Sequence, residues 1–90
     1  MTVIIKKAAN PADPGPLEWG IMDLGTPAIK RCVIVQDPYG RNIPIQGYQE
    51  GHDWQIAPDG TVTPSILVHA EPWRNIPEWH EFVKLEGWTP

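Results

Sequence analysis

Residues 31–46, RCVIVQDPYGRNIPIQ, hold the clearest strand–turn–strand pattern in this chain. The β-branched run at 33–35 is typical of a strand. The four residues at 37–40 then place Asp first, Pro second and Gly fourth, which is the composition of a type I turn. Pro44 lies in the apolar segment that follows and confines it to a sheet edge or a bulge, because proline cannot donate a ladder hydrogen bond. These signals predict a β-hairpin over residues 30–46.

A second hairpin is predicted over residues 53–69. The β-prone segments HDWQIA, residues 52–57, and TVTPSILVH, residues 61–69, flank a short turn. The Asp-Gly pair at 59–60 suits that turn because Gly tolerates a positive φ. Pro64 again indicates a bulge or an edge. Two hairpins in succession favour a mostly antiparallel β fold.

The N-terminal third extends the same pattern. TVII at 2–5 is a short β-branched strand candidate, and LEWGIMDL at 17–24 is another, bent at Gly20. NPADPGP at 10–16 carries three prolines, which favour an extended surface connection too short to separate two domains. The sequence therefore predicts an all-β fold, a single small domain over residues 1–90 with five to seven short antiparallel strands.

Composition narrows the function classes. The 90 residues carry 11 acidic and 7 basic side chains, a net charge of −4, so the basic face typical of nucleic-acid binding is not expected. The apolar run in the opening MTVIIKKAAN is too short for a signal peptide. No segment approaches the ~18 apolar residues of a membrane span. Cys32 is the single cysteine, so no internal disulfide can form. We expect an intracellular protein that binds neither nucleic acid nor membrane.

The C-terminal stretch EPWRNIPEWHEFVKLEGW, residues 71–88, is ambiguous on local grounds. Asn75 is a cap candidate and Gly87 an end signal for a helix over residues 76–86. Such a helix would place four apolar side chains on one face: Ile76, Trp79, Phe82 and Val83. A strand stays open as the alternative, although its alternation is less clean. Local signals alone favour the helix.

Three short motifs in the second half of the chain form a recognisable series: W-x-I, then TPSIL, then WHEFVKLEGW. Their positions are Trp54, Ile56, Thr63, Pro64, Ser65, Ile66, Leu67, His80, Phe82, Val83, Gly87 and Trp88. The series resembles a family of small uncharacterised proteins common in phage and bacterial genomes, over about residues 31–88. Some phage members carry the label ammonia monooxygenase, for which these residues offer no chemical basis.

The resemblance implies both a structure and a setting. It implies that HEFVKLEGW is a strand entering a turn, not a helix. Family members usually have two or three cysteines upstream, like half of a zinc-ribbon knuckle, whereas this chain keeps only Cys32. The resemblance therefore implies a zinc-ribbon-like domain that has lost its metal, encoded by a phage or prophage and acting in the cytoplasm of the bacterial host.

Metal binding is the alternative function. The candidate ligands are Cys32, His52, His69 and His80, and no two have the short spacing of a preorganised zinc site. Four separate strands could still bring them together, with Cys32 and His80 the pair that the resemblance favours. The chain would then be a structural or hydrolytic zinc module. Otherwise Cys32 is a small buried core residue, and we expect no metal and no cofactor.

Nucleophilic catalysis finds little support. Ser65 is the only serine and lies outside any nucleophile-elbow motif. Ser65, His80 and Glu78 could be imagined as a Ser–His–acid triad, but no spacing argument supports it. We expect the Ser65 hydroxyl to satisfy backbone groups beside Pro64, and the chain not to be an enzyme.

Aromatic residues are abundant, with five Trp, two Tyr and one Phe. We assign Trp54, Trp79 and Phe82 to the core, where large aromatic side chains can replace the stabilisation that a metal would otherwise give.

Trp73 and Trp88 are predicted to have a different role. Trp73 lies in a loop beside Arg74, and Trp88 is close to the C-terminus. Exposed Trp with a neighbouring Arg is typical of protein interfaces. The alternative is that both indoles fold back over the sheet as lids. We therefore predict a non-catalytic protein-binding or assembly module, whose partner is another protein or a second copy of the chain, contacted through Trp73, Arg74 and Trp88.

Overall fold

The computed structural model of the protein describes residues 2–22, 32–47 and 54–89. Seven strands and one 3₁₀ turn lie in these ranges: β1 (Thr2–Lys7), β2 (Glu18–Met22), β3 (Cys32–Gln36), β4 (Asn42–Gln46), β5 (Gln55–Ile56), β6 (Thr61–Val68), η1 (Pro72–Arg74) and β7 (Trp79–Leu85). No α-helix occurs in this part of the chain, and therefore none there could span a membrane. The predicted all-β fold is confirmed.

The strands form one sheet in the order β4-β3-β2-β1-β7-β6-β5. β1 runs parallel to both its neighbours, β2 and β7, and the other neighbouring strands pair antiparallel. The two edges of the sheet meet where the Trp54 N–H donates to the Ile45 carbonyl at 2.9 Å. The result is a mixed, near-closed barrel. Its pairing differs from the antiparallel expectation at β1. The chain re-enters the sheet at Glu18, beside Lys6 near the end of β1, and β2 then continues in the same direction as β1.

The 10–16 connection passes over the outer side of β2. Trp19 and Ile21 pack against the core, so Gly20 between them faces outward. A Cβ on Gly20 would overlap the backbone carbonyl of Pro11. Glycine is therefore what lets the connection lie directly on the strand.

Both predicted hairpins are confirmed over their described residues. In the β3–β4 turn the Gly40 N–H donates to the Asp37 carbonyl at 3.2 Å, and in the β5–β6 turn the Gly60 N–H donates to the Ala57 carbonyl at 2.8 Å. Both glycines have a positive φ, which the fourth residue of such a turn needs. The same Pro-x-Gly sequence thus builds both turns.

The two strand prolines lie where the sequence predicted irregularity. β4 is an edge strand of the sheet order, and its register with β3 shifts beside Pro44. The register between β6 and β7 shifts across the segment that holds Pro64. Both positions tolerate a residue without an N–H.

The core fills the barrel with aliphatic side chains and two tryptophans: Ile5, Trp19, Val33, Val35, Ile45, Val62, Ile66, Trp79, Val83 and Leu85. The core assignment of Trp79 is confirmed, and Trp54 packs against the core while partly exposed. Apolar burial of this kind is the main stabilising contribution in a small domain.

The core assignment of Phe82 is wrong. Residues 79–85 form β7 and not the helix that local signals favoured. Successive side chains of a strand face opposite sides, and Trp79, Val83 and Leu85 share the inward side. Phe82 therefore points outward and is 57% exposed.

Candidate functional site

The loop between β6 and β7 presents the most exposed tryptophan of the described chain. Trp73 lies in the 3₁₀ turn η1 with 78% of its surface accessible. Pro72 starts the turn, and Asn75 ends it in the left-handed conformation, which Asn adopts more readily than most residues. The Glu71 and Ile76 backbones bond to each other in both directions, at 2.8 and 3.1 Å. We call residues 69–78 the Trp73 loop.

Arg41, in the β3–β4 turn, holds both ends of the Trp73 loop. Its Nη1 donates to the His69 carbonyl at 2.7 Å, and its Nη2 donates to the Pro77 carbonyl at 3.2 Å. Its Nη1 also lies 3.4 Å from a carboxylate oxygen of Glu71. One guanidinium therefore joins two turns that are far apart in sequence.

Asp37 holds Arg41 in place. Its side chain is fully buried, and its Oδ2 accepts the Arg41 Nε–H at 2.6 Å. Its Oδ1 accepts the N–H groups of Tyr39 and Arg41 at 2.9 and 2.8 Å. A buried carboxylate is tolerated when it is paired and hydrogen-bonded in this way.

Arg74 is exposed and pairs with the carboxylate of Glu71 at 3.2 Å. Tyr39 is also exposed, with the Arg41 guanidinium 5.8 Å from the centre of its ring. Arg41 therefore contacts both the turn that carries Tyr39 and the loop that carries Trp73. Two aromatic side chains and an arginine are thus accessible on these two connected segments, and such side chains are enriched at protein interfaces.

Trp88 lies at the other end of the barrel. β6 and β7 are antiparallel. Trp73 lies in the loop that leaves the end of β6, and Trp88 lies in the segment that leaves the end of β7. The seven residues of β7 span about 20 Å between these ends. Trp73 and Trp88 therefore do not share one surface.

Trp88 packs as a lid. Its ring meets Trp19 edge to face, with the ring centres 5.5 Å apart. The Trp19 indole N–H donates to the Glu86 carbonyl at 2.8 Å, and the Lys7 amine lies 5.8 Å from the Trp19 ring. The lid alternative raised from the sequence thus describes Trp88, whereas Trp73 is exposed.

A cleft of about 740 Å³ opens at this second end. Its described walls are Lys7, Pro11, Trp19, Gly20, Ile21, Val33, Gln46, Gly47, Trp88 and Thr89. None of these described residues offers a carboxylate, an imidazole or a thiol, which are the usual groups for acid–base work or metal ligation.

The predicted metal ligands are not brought together where the structure describes them. Cys32 is buried on β3, and the exposed His80 is on β7, with β2 and β1 between these strands. His69 is exposed beyond the end of β6, and His52 lies outside the described residues. Among the residues described, no three His, Cys, Asp or Glu side chains form a group that could hold a metal ion.

Ser65 and His80 do meet, at 2.7 Å between Oγ and Nε2. They belong to neighbouring strands β6 and β7 and lie on the exposed side of the sheet. In the described chain no carboxylate bonds to His80, so Glu78 does not complete a triad. The pair lacks the orienting acid that a triad uses.

The β5–β6 turn contains the one titrating group with a clear perturbation in the described chain. The Asp59 carboxylate accepts the Thr61 N–H at 2.9 Å. This hydrogen bond, with a smaller contribution from the positive charge of Lys84, lowers the pKa of Asp59 below its usual 3.8.

The buried Asp37–Arg41 pair is the feature that sequence reasoning missed. The DPYG motif identified the turn, but not the partner of its aspartate. A signal did exist, since an Asp that begins a turn and an Arg directly after its glycine are both held close to the turn backbone. The contacts from Arg41 to carbonyls 28 and 36 residues away have no local signal.

Comparisons with protein-family models, with curated proteins and with solved structures found no match.

Proposed function

We propose that the protein is a non-catalytic binding module that contacts another protein through the Trp73 loop. The observation that carries this proposal is a tryptophan 78% exposed on a loop held by the Arg41 guanidinium at both ends. Exposing an indole leaves unrealised a burial worth about 1.5–3 kcal/mol. A partner surface that covers it recovers this free energy.

The hydrogen bonds of the loop favour binding for a second reason. Docking an unstructured loop costs conformational entropy, and a loop already held in one conformation loses less. The backbone bonds of η1 and the contacts from Arg41 supply that order before any partner arrives. Arg74, exposed beside Trp73, adds a second side chain common at interface hot spots.

Two observations support the non-catalytic part of the proposal. The described walls of the cleft carry no acid–base residue apart from Lys7. The Ser65–His80 pair is exposed and has no acid partner in the described chain. The resemblance found in the sequence extends the proposal to a phage or prophage accessory protein that modulates a host or defence protein. The zinc-module alternative has no supporting contact among the described ligand candidates.

The test compares Trp73→Ala with wild type and with Trp88→Phe, which changes the aromatic side chain at the opposite end. Proteins captured from an extract of the cells that encode the chain are identified, and the leading candidate is purified and titrated by calorimetry. We expect Trp73→Ala to weaken binding about 30-fold, equivalent to ~2 kcal/mol, and Trp88→Phe to leave it unchanged.

Sedimentation of the purified chain covers the case in which the partner is a second copy. Self-association should then weaken in Trp73→Ala alone. The proposal fails if neither the captured partner nor self-association responds to Trp73→Ala while the variant stays folded.

A further inference from the structure

The cleft at the Trp88 end of the barrel has the size and composition of a small-molecule site. Its volume of about 740 Å³ lies within the roughly 300–1,000 Å³ of known ligand pockets, and the mouth of a β-barrel is one of their usual places. Apolar side chains outnumber polar ones on its described walls: Pro11, Trp19, Ile21, Val33 and Trp88 against Lys7, Gln46 and Thr89. Ligand pockets combine an apolar lining with a few polar groups in this way.

The aromatic wall of the cleft is already ordered. Trp19 is 3% exposed, and its indole N–H donates to the Glu86 carbonyl at 2.8 Å. Trp88 meets the Trp19 ring edge to face and remains partly exposed. An aromatic ligand that packs on Trp88 gains stabilisation beyond simple burial, and a wall that is held before binding loses little entropy. This wall therefore favours a flat aromatic ligand.

The charge of the cleft favours an anion. Lys7 is the only charged residue among the described walls, and it is exposed. Its amine lies 5.8 Å from the centre of the Trp19 ring. No carboxylate of the described chain lies within 4 Å of this amine. The positive charge beside the aromatic wall is therefore available to a ligand.

Two glutamates lie near Lys7 in the sheet but do not neutralise it. Glu18 is paired with Lys6, on the side of β2 opposite to Trp19, and its carboxylate accepts the Gly15 N–H at 2.6 Å. Glu86 is exposed and does not line the cleft. The side chains of Lys6 and Lys7 thus lie on opposite sides of β1, and only Lys7 faces the cleft.

We propose that the cleft binds a small, flat aromatic carboxylate, with its ring against Trp88 and its carboxylate beside the Lys7 amine. A charge-assisted hydrogen bond from a lysine is among the stronger contacts that a carboxylate can make. The Gln46 amide and the Thr89 hydroxyl add a donor and an acceptor each, which can fix the orientation of the ligand. This site is additional to the proposed protein contact, because the Trp73 loop lies at the other end of the barrel.

The test uses three ligands that share one ring system and differ in charge. These are 2-naphthoate, the neutral 2-naphthamide and the cationic 2-naphthylmethylamine, each titrated into the ¹⁵N-labelled full chain and followed by NMR. We expect 2-naphthoate to shift the indole N–H signals of Trp19 and Trp88 with a dissociation constant below about 1 mM. The amide should bind about tenfold more weakly, and the amine more weakly still, because its charge has the same sign as that of Lys7.

Matched variants assign the charge effect to one lysine. Lys7→Gln should weaken 2-naphthoate binding about tenfold and abolish the preference over the amide, whereas Lys7→Arg should retain it. Lys6→Gln removes the same charge from the other side of β1 and should leave binding unchanged. The amide spectrum of each variant verifies that it is folded.

The result is independent of the proposed protein contact. Trp73→Ala should leave 2-naphthoate binding unchanged, so failure at the Trp73 loop and failure at the cleft are separate results. The inference is overturned if about 1 mM 2-naphthoate leaves the Trp19 and Trp88 signals in place. Equal binding of 2-naphthoate and 2-naphthamide, or equal effects of Lys7→Gln and Lys6→Gln, overturns it as well.

Discussion

Replacing Arg41 by Ala is the sharpest test of how this barrel is held together. Arg41 is the partner of Asp37, whose carboxylate is fully buried. The substitution leaves that buried charge without its guanidinium. It also removes the donors to the His69 and Pro77 carbonyls and releases both ends of the Trp73 loop.

The expected loss is a large part of the total stability. Breaking a buried ion pair by removing one partner costs about 3–5 kcal/mol, because the remaining charge stays buried and unpaired. A domain of this size has a free energy of unfolding of about 5–13 kcal/mol. The midpoint of thermal unfolding should therefore fall by about 12–40 °C.

Arg74→Ala is the matched control. Arg74 also pairs with Glu71, but its side chain is 56% exposed, whereas that of Arg41 is 9% exposed. An exposed pair contributes about 0–1 kcal/mol, so this variant should unfold close to wild type. Urea titration followed by tryptophan fluorescence measures both.

A double variant separates the two causes of the loss. Asp37→Asn combined with Arg41→Ala leaves no buried charge, and it should be more stable than Arg41→Ala alone. If the double variant is no more stable than the single one, the loss comes from the contacts to the loop carbonyls. If Arg41→Ala unfolds like Arg74→Ala, the reasoning about the buried pair is wrong.

Three further substitutions test separate features of the fold. Gly20→Ala should lower the free energy of unfolding by about 1–3 kcal/mol, because the added Cβ would overlap the Pro11 carbonyl. Gly15→Ala is the control, because its added Cβ would contact only the end of a flexible side chain, and chemical denaturation measures both variants. Cys32→Ser should lower the unfolding free energy by about 1–2 kcal/mol from lost packing and leave the fold intact, and a stoichiometric zinc that rescues wild type alone would contradict this. The pKa of Asp59 is lowered in the folded state, so its contribution to stability is present above pH ~4 and disappears as the pH falls through the lowered pKa. Acid titration should therefore show the stability difference between wild type and Asp59→Ala narrowing toward low pH.

The turns of this fold could be read from the sequence because their causes are local. Proline at the second turn position and glycine at the fourth restrict the backbone to the turn that both hairpins adopt. Pro44 and Pro64 were placed at irregularities for an equally local reason, the missing N–H.

The outward orientation of Phe82 could also have been predicted from the sequence. Once residues 79–85 are taken as a strand, Trp79, Val83 and Leu85 share one side and outnumber Phe82 on the other. The core assignment counted Phe82 among the large aromatic side chains expected to stabilise a domain without metal, and it did not apply this alternation.

The parallel pairing of β1 and the contacts of Arg41 could not be predicted from the local sequence. Strand partners depend on where the chain returns to the sheet, and the sequence of β1 is compatible with either direction. Arg41 reaches the β6–β7 loop only because the barrel brings that loop beside the β3–β4 turn. Contacts between distant segments follow from the topology.

The buried pair therefore links the fold to the proposed binding surface. Asp37 is needed to order its own turn, and through Arg41 the same carboxylate orders the Trp73 loop. A partner that docks on Trp73 meets a loop whose conformation the barrel has already determined, so more of the burial free energy is available for affinity. Substitution of the buried Asp37 should thus weaken binding without removing a side chain that contacts the partner, whereas Trp73→Ala should weaken binding without unfolding the barrel.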